Sequence, residues 1–81
     1  MIVHFGTVTK VRDKKLIRNF GKHLKIVRME KGLSQENLAN DADIPINQIG
    51  RIERGEINPS LSTINSIAKA LNIKLYDLMK F

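Results

Sequence analysis

Between Gln35 and Arg54 stands a set of amides and guanidiniums that could bind a ligand: Gln35, Asn47, Gln48, Arg51 and Arg54. Such groups bind by hydrogen bonding, the guanidiniums as donors and the amides as donors and acceptors. No arrangement of residues that would support catalysis can be read. There is no cysteine, which removes disulfides, thiolate zinc sites and thiol nucleophiles together. His4 and His23 are too few and too far apart to suggest a metal site. No glycine-rich phosphate loop and no acid pair in an obvious cleft can be read, and 81 residues leave little chain for a deep pocket. An enzyme is a poor reading, and neither a cofactor nor a metal is expected.

The polar set must be held by helices. Read as a helix, a tight turn and a second helix, residues 35–54 have to cross steeply, because three or four residues join the two. Such a crossing needs a small residue on the first helix, and Ala39 is there. Leu38 and Ala42 on one side and Ile44, Ile49 and Ile52 on the other supply apolar anchors. What remains on the second helix is polar or small: Asn47, Gln48, Gly50, Arg51 and Arg54.

The surrounding elements follow from caps and periodicity. Asp13 can cap a first helix running to about Lys31, with Leu16, Ile17, Phe20, Leu24 and Val27 on one stripe. Gly32 ends it in a position that tolerates positive φ. Ser34 caps a second helix reaching about Asp41. Asp43 suits a left-handed turn, and Pro45 suits the first turn of a third helix, which Gly55 closes. Pro59 and Ser60 start a fourth, with the stripe Leu61, Ile64, Ile67, Ala68 and Leu71 and Asn72 as its C-terminal cap. Leu75 to Phe81 reads as a short last helix. Residues 1–12 differ: Ile2, Val3, Phe5, Thr7, Val8, Thr9 and Val11 are mostly β-branched or aromatic. They read as an arm or appended strand, or as an irregular extension of the first helix; a strand alone needs a partner.

One domain is expected at this length. The longest apolar runs are two or three residues, so no membrane span and no secretory signal is expected. The net charge of +6 is uneven. Residues 1–31 carry nine Lys/Arg against two acids, residues 32–59 two against five, and residues 60–81 three against one. The first block would attract a polyanion, or would be a solvated helix face.

Leu33-Ser-Gln-Glu-Asn-Leu-Ala39, Ile49-Gly-Arg-Ile-Glu-Arg-Gly55 and Asn58-Pro-Ser-Leu61 together resemble the helix-turn-helix DNA-binding domain of the lambda repressor and Cro-type (XRE) family. The resemblance covers about residues 18–80. It implies an all-α, compact five-helix domain over residues 13–81, with its helix-turn-helix core at 34–54 and the N-terminal arm or strand outside it. It further implies a cytoplasmic homodimer that regulates transcription on two-fold symmetric double-stranded DNA, probing base edges with Pro45 to Arg54.

Carried over by position, Ile46, Asn47 and Arg51 become base readers, with Gln48 and Gly50 beside them. Asn can bond adenine bidentately, Arg can bond guanine, and Ile46 can pack on a thymine methyl. The alternatives are partial burial for Ile46 and a phosphate contact or surface salt bridge for Arg51. Gln35 resembles the family's phosphate-facing glutamine, or is an ordinary surface residue. Arg54, Lys22 and Arg18 are further phosphate candidates. Arg28 and Glu53 resemble the family's internal ion pair. Leu75, Tyr76, Leu78, Met79 and Phe81 form a dimer surface, or else pack on their own domain. Three positions depart from the pattern. Asp43 replaces a turn glycine, Pro45 replaces a hydroxyl cap unless Asp43 supplies one, and Gly50 costs about 1 kcal/mol in mid-helix. Gly50 either admits DNA closely or reads nothing. The competing function is a protein-interaction module, such as an antitoxin, docking by strand addition. No small-molecule effector is expected.

Overall fold

The computed structural model describes residues 12–81; the expected arm or strand lies outside them, apart from Arg12. Five helices follow in order: α1 (Lys14–Glu30), α2 (Gln35–Ala42), α3 (Ile46–Glu53), α4 (Leu61–Ala70) and α5 (Leu75–Leu78). No strand occurs among the described residues.

The local stops and starts are chemical. Asp13 Oδ1 accepts from the Leu16 N–H at 3.0 Å, and Ser60 Oγ accepts from the Thr63 N–H at 3.1 Å. Ser34 and Asn37 form a reciprocal capping box, with Ser34 Oγ accepting from the Asn37 N–H at 2.9 Å. Each arrangement satisfies first-turn donors that a helix cannot bond within itself. Gly32 and Gly55 take φ +72° after α1 and α3. The C-cap of α4 is Leu71, and Asn72, one position beyond it at φ 58°, makes the left-handed turn that ends the helix.

The turn between α2 and α3 keeps the left-handed shape that a glycine would provide. Asp43 sits at φ 57°, ψ 47°, and the Ile44 N–H reaches back to the Ala39 carbonyl at 3.0 Å. Pro45 occupies the N-cap position rather than the first turn, and α3 begins at Ile46. No side chain caps α3, so Asp43 does not replace the missing hydroxyl.

α3 packs on α1 and α2, α4 on α2, and α5 closes against α4 and α1. Leu24, Leu38, Ile49, Ile52, Ile67, Leu71 and Leu78 are fully buried at the junction. Two stripe residues are instead exposed, Leu16 at 52% and Leu61 at 69%. Both lie in the first turn of their helices. The last helix stops at Leu78, three residues short of the expected end. Beyond it, Phe81 folds back, its ring edge-on to Phe20 at 5.7 Å and stacked on His23 at 5.5 Å.

Candidate nucleic-acid interface

α3 is held by one side and open on the other. Ile49 and Ile52 are 0% and 1% exposed, whereas Ile46 is half exposed and Asn47, Arg51 and Arg54 face solvent. Gln48 is half-buried. A run of eight residues with this division presents an amide, a guanidinium and an apolar side chain along one edge, a set able to meet both base edges and phosphates.

The C-terminal end of α3 is anchored by buried charge. Arg28 Nε donates to Glu53 Oε2 at 2.6 Å and Nη2 to Oε1 at 3.1 Å. Arg28 Nη1 donates to the Leu33 carbonyl at 2.8 Å, and Gln35 Nε2 donates to Glu53 Oε1 at 3.0 Å. The fork geometry suits a guanidinium and carboxylate, and a buried charge requires such a partner. One network therefore ties α1, the following loop, α2 and α3. Glu53 is neutralised inside the molecule, so it does not count against a polyanion at the surface. Gln35, half-buried at the start of α2, is spoken for in part by this network.

A second cluster lies on the outside. Arg54 Nε donates to Glu56 Oε2 at 2.6 Å, with Nη2 at 3.4 Å from Oε1, and Arg51 Nε stands 3.7 Å from Oε1. Hydrogen bonding from Arg54 holds the Glu56 carboxyl below its ordinary range, and the same bond raises the Arg54 guanidinium. Arg12 Nη2 donates to the Glu56 carbonyl at 2.9 Å, fixing this loop against the start of α1. Arg51 thus makes the surface ion pair that was one of its two alternatives, while keeping its side chain 48% exposed.

Other expected residues are placed differently. Gly50 is buried, with Arg54 and Gln35 side chains over it, so it presents no surface of its own. Arg18 packs on Gly55 just past α3. Lys22 is not brought to this group; it lines a shallow depression with Asn19, His23, Ile26 and Phe81. Of the expected dimer surface, Leu78 is 0% exposed and belongs to the core, because α5 turns it onto α4 and α1. Leu75 is half-buried, whereas Tyr76, Met79 and Phe81 are exposed.

Two further residues, Gly21 and Glu56, contribute to the site. A Cβ at Gly21 would stand 2.3 Å from the Ile52 carbonyl oxygen, so α1 and α3 touch backbone to backbone there. An isolated glycine inside a long helical stripe was its signal. Glu56 was signalled only by lying two and five residues after Arg54 and Arg51. Among the described residues no helix is long and apolar enough to cross a membrane.

The chain is 41% identical over 63 residues to the control protein C.BamHI of Bacillus amyloliquefaciens, covering 76% of this chain and 78% of that protein. It is 37% identical over 57 residues to the HTH-type transcriptional regulator DdrOP3 of Deinococcus deserti, covering 70% of this chain. It spans only 44% of that regulator. The crystal structure of the restriction-modification controller protein C.AhdI from Aeromonas hydrophila superposes with a TM-score of 0.75 at 39% identity, over 82% of this chain and 98% of that one. A family model described as helix-turn-helix matches residues 24–78, which span α2 and α3 with their supporting helices, and the chain therefore belongs to the helix-turn-helix family of the lambda repressor and Cro (XRE) type.

Proposed function

We propose that this protein is a sequence-specific DNA-binding transcriptional regulator that acts as a homodimer on a two-fold symmetric operator. The observation that carries the reading is the division of α3, with Ile49 and Ile52 sealed in the core and Ile46, Asn47 and Arg51 left outside. In it, Asn47 and Arg51 read base edges, Ile46 packs on a thymine methyl and Gln48 contributes beside them. Gln35, Arg54 and Arg18 contact phosphate. Arg51 exchanges Glu56 for its base when the duplex arrives. Tyr76, Met79 and Phe81, exposed in and just after α5, supply an apolar dimer surface with Leu75. Two recognition helices about 34 Å apart would enter successive major grooves. The names of the relatives, a control protein, a transcriptional regulator and a restriction-modification controller, support the same class.

The test is selection of bound duplexes from random DNA, followed by affinity against salt. Affinity for the selected duplex falls steeply with salt, because phosphate contacts release counterions. Arg51→Ala loses about 1–3 kcal/mol of discrimination at particular base pairs, while Arg18→Ala weakens every sequence alike. Lys22→Ala, away from the α3 face, has the smaller effect of the two lysine or arginine changes on α1. A flat salt response rejects the reading.

A further inference from the structure

α3 carries a glycine in its second turn, where most residues form helix more readily. Gly50 is buried all the same, and its missing side chain leaves a filled place. A Cβ built there would lie 2.9 Å from Nη1 of Arg54 and 3.4 Å from Oε1 of Gln35. Arg54 is four residues on, one turn along the same face of the helix. Its guanidinium therefore lies across the space that any larger residue would occupy, with the α2 amide next to it. Glu56 holds the opposite edge of the same guanidinium through Nε and Nη2. The Arg54 side chain still has 59% of its surface exposed, so the seated group remains reachable.

The geometry points to Gly50 as a positioning residue whose absent side chain seats the Arg54 guanidinium against α3 beside the Gln35 amide, so that the two meet the phosphate backbone as one unit. The inference rests on the DNA-binding reading above and adds the residue that sets this clamp. A long arginine loses rotamer freedom when it closes on a ligand. Held beforehand between Gly50 and Glu56, Arg54 has less freedom left to lose, which favours binding. Alanine at position 50 would first meet the far end of Arg54 and the Gln35 amide, flexible groups rather than backbone, so the guanidinium gives way before the helix does.

The experiment compares four proteins, wild type, Gly50→Ala, Arg54→Ala and the double variant, for thermal melting and for affinity to a mixed-sequence duplex across salt. Gly50→Ala is expected to melt no lower than wild type, since alanine is the better helix former. It binds about tenfold more weakly, the worth of one charge-assisted hydrogen bond. Its salt slope is shallower by about 0.9, one phosphate contact. The double variant binds no more weakly than Arg54→Ala alone. Wild-type affinity in Gly50→Ala overturns the inference. So does an undiminished loss when Gly50→Ala is added to Arg54→Ala, which would make position 50 a place where the duplex approaches the helix backbone directly. Wild-type protein that shows no salt-dependent affinity for any duplex overturns the DNA-binding reading itself, a different failure.

Discussion

Glu53 accepts hydrogen bonds from both Arg28 and Gln35 while buried, and it is the residue on which the orientation of α3 turns. Removing one partner leaves an unpaired charge in the interior. Arg28→Ala is expected to cost about 3–5 kcal/mol in urea unfolding, and replacing both residues by apolar ones of similar size less than that. If Arg28→Ala unfolds like wild type, the network contributes little. The outer acid behaves differently because it is solvated. Its carboxyl is held below the ordinary carboxylate range by Arg54, so its ion pair is present at neutral pH and is lost as pH falls through the lowered value. An exposed pair of this kind contributes little stability. The check is an NMR titration of the Glu56 side-chain carbon: the midpoint lies low in wild type and moves up in Arg54→Ala. An unchanged midpoint would show that Arg54 is not what holds it.

At the scale of elements, the contact between α1 and α3 is set by what Gly21 lacks. A Cβ there meets the Ile52 and Glu53 carbonyl oxygens at 2.3 and 2.7 Å, and these belong to backbone that cannot swing aside. Gly21→Ala gains helix propensity of about 1 kcal/mol but forces the two helices apart. Overpacking of this kind costs about 1–3 kcal/mol or more, so the variant is expected to melt lower. A Gly21→Ala protein that melts higher than wild type would mean the helices are not in backbone contact. Glycines 21 and 50 thus respond in opposite ways to the same substitution, because one faces rigid backbone and the other a flexible side-chain end.

For the molecule as a whole, α5 is both lid and edge. Leu78 is sealed beneath it, and Leu78→Ala is expected to destabilise the fold by about 2–5 kcal/mol. Tyr76, 68% exposed, touches the core little. Tyr76→Asp should keep the melting of the monomer fold and weaken self-association in sedimentation, if the exposed apolar end is where two copies meet. Normal sedimentation of Tyr76→Asp moves the dimer contact elsewhere. The charge imbalance read along the chain also changes meaning at this scale. Two acids of the middle block are each matched by a cation, Glu53 by Arg28 from α1 inside the molecule and Glu56 by Arg54 at the surface.

What the sequence determined alone are the features whose partners lie within a turn of chain: the caps at Asp13, Ser34 and Ser60, and the left-handed stops at Gly32, Asp43, Gly55 and Asn72. Covalent spacing brings those groups together whatever the rest of the molecule does. The outward set on α3 was legible for a similar reason, since helical periodicity separates Ile49 and Ile52 from Asn47 and Arg51. The pairing of Arg28 with Glu53, 25 residues apart, came from family resemblance, because no local rule reaches so far. Only the tertiary structure decided that Leu16 and Leu61 stay exposed, that Leu78 is core, and that Gly21 and Gly50 each make room for a particular neighbour. Periodicity says which way a side chain points; whether anything stands there to meet it depends on where distant helices end and cross.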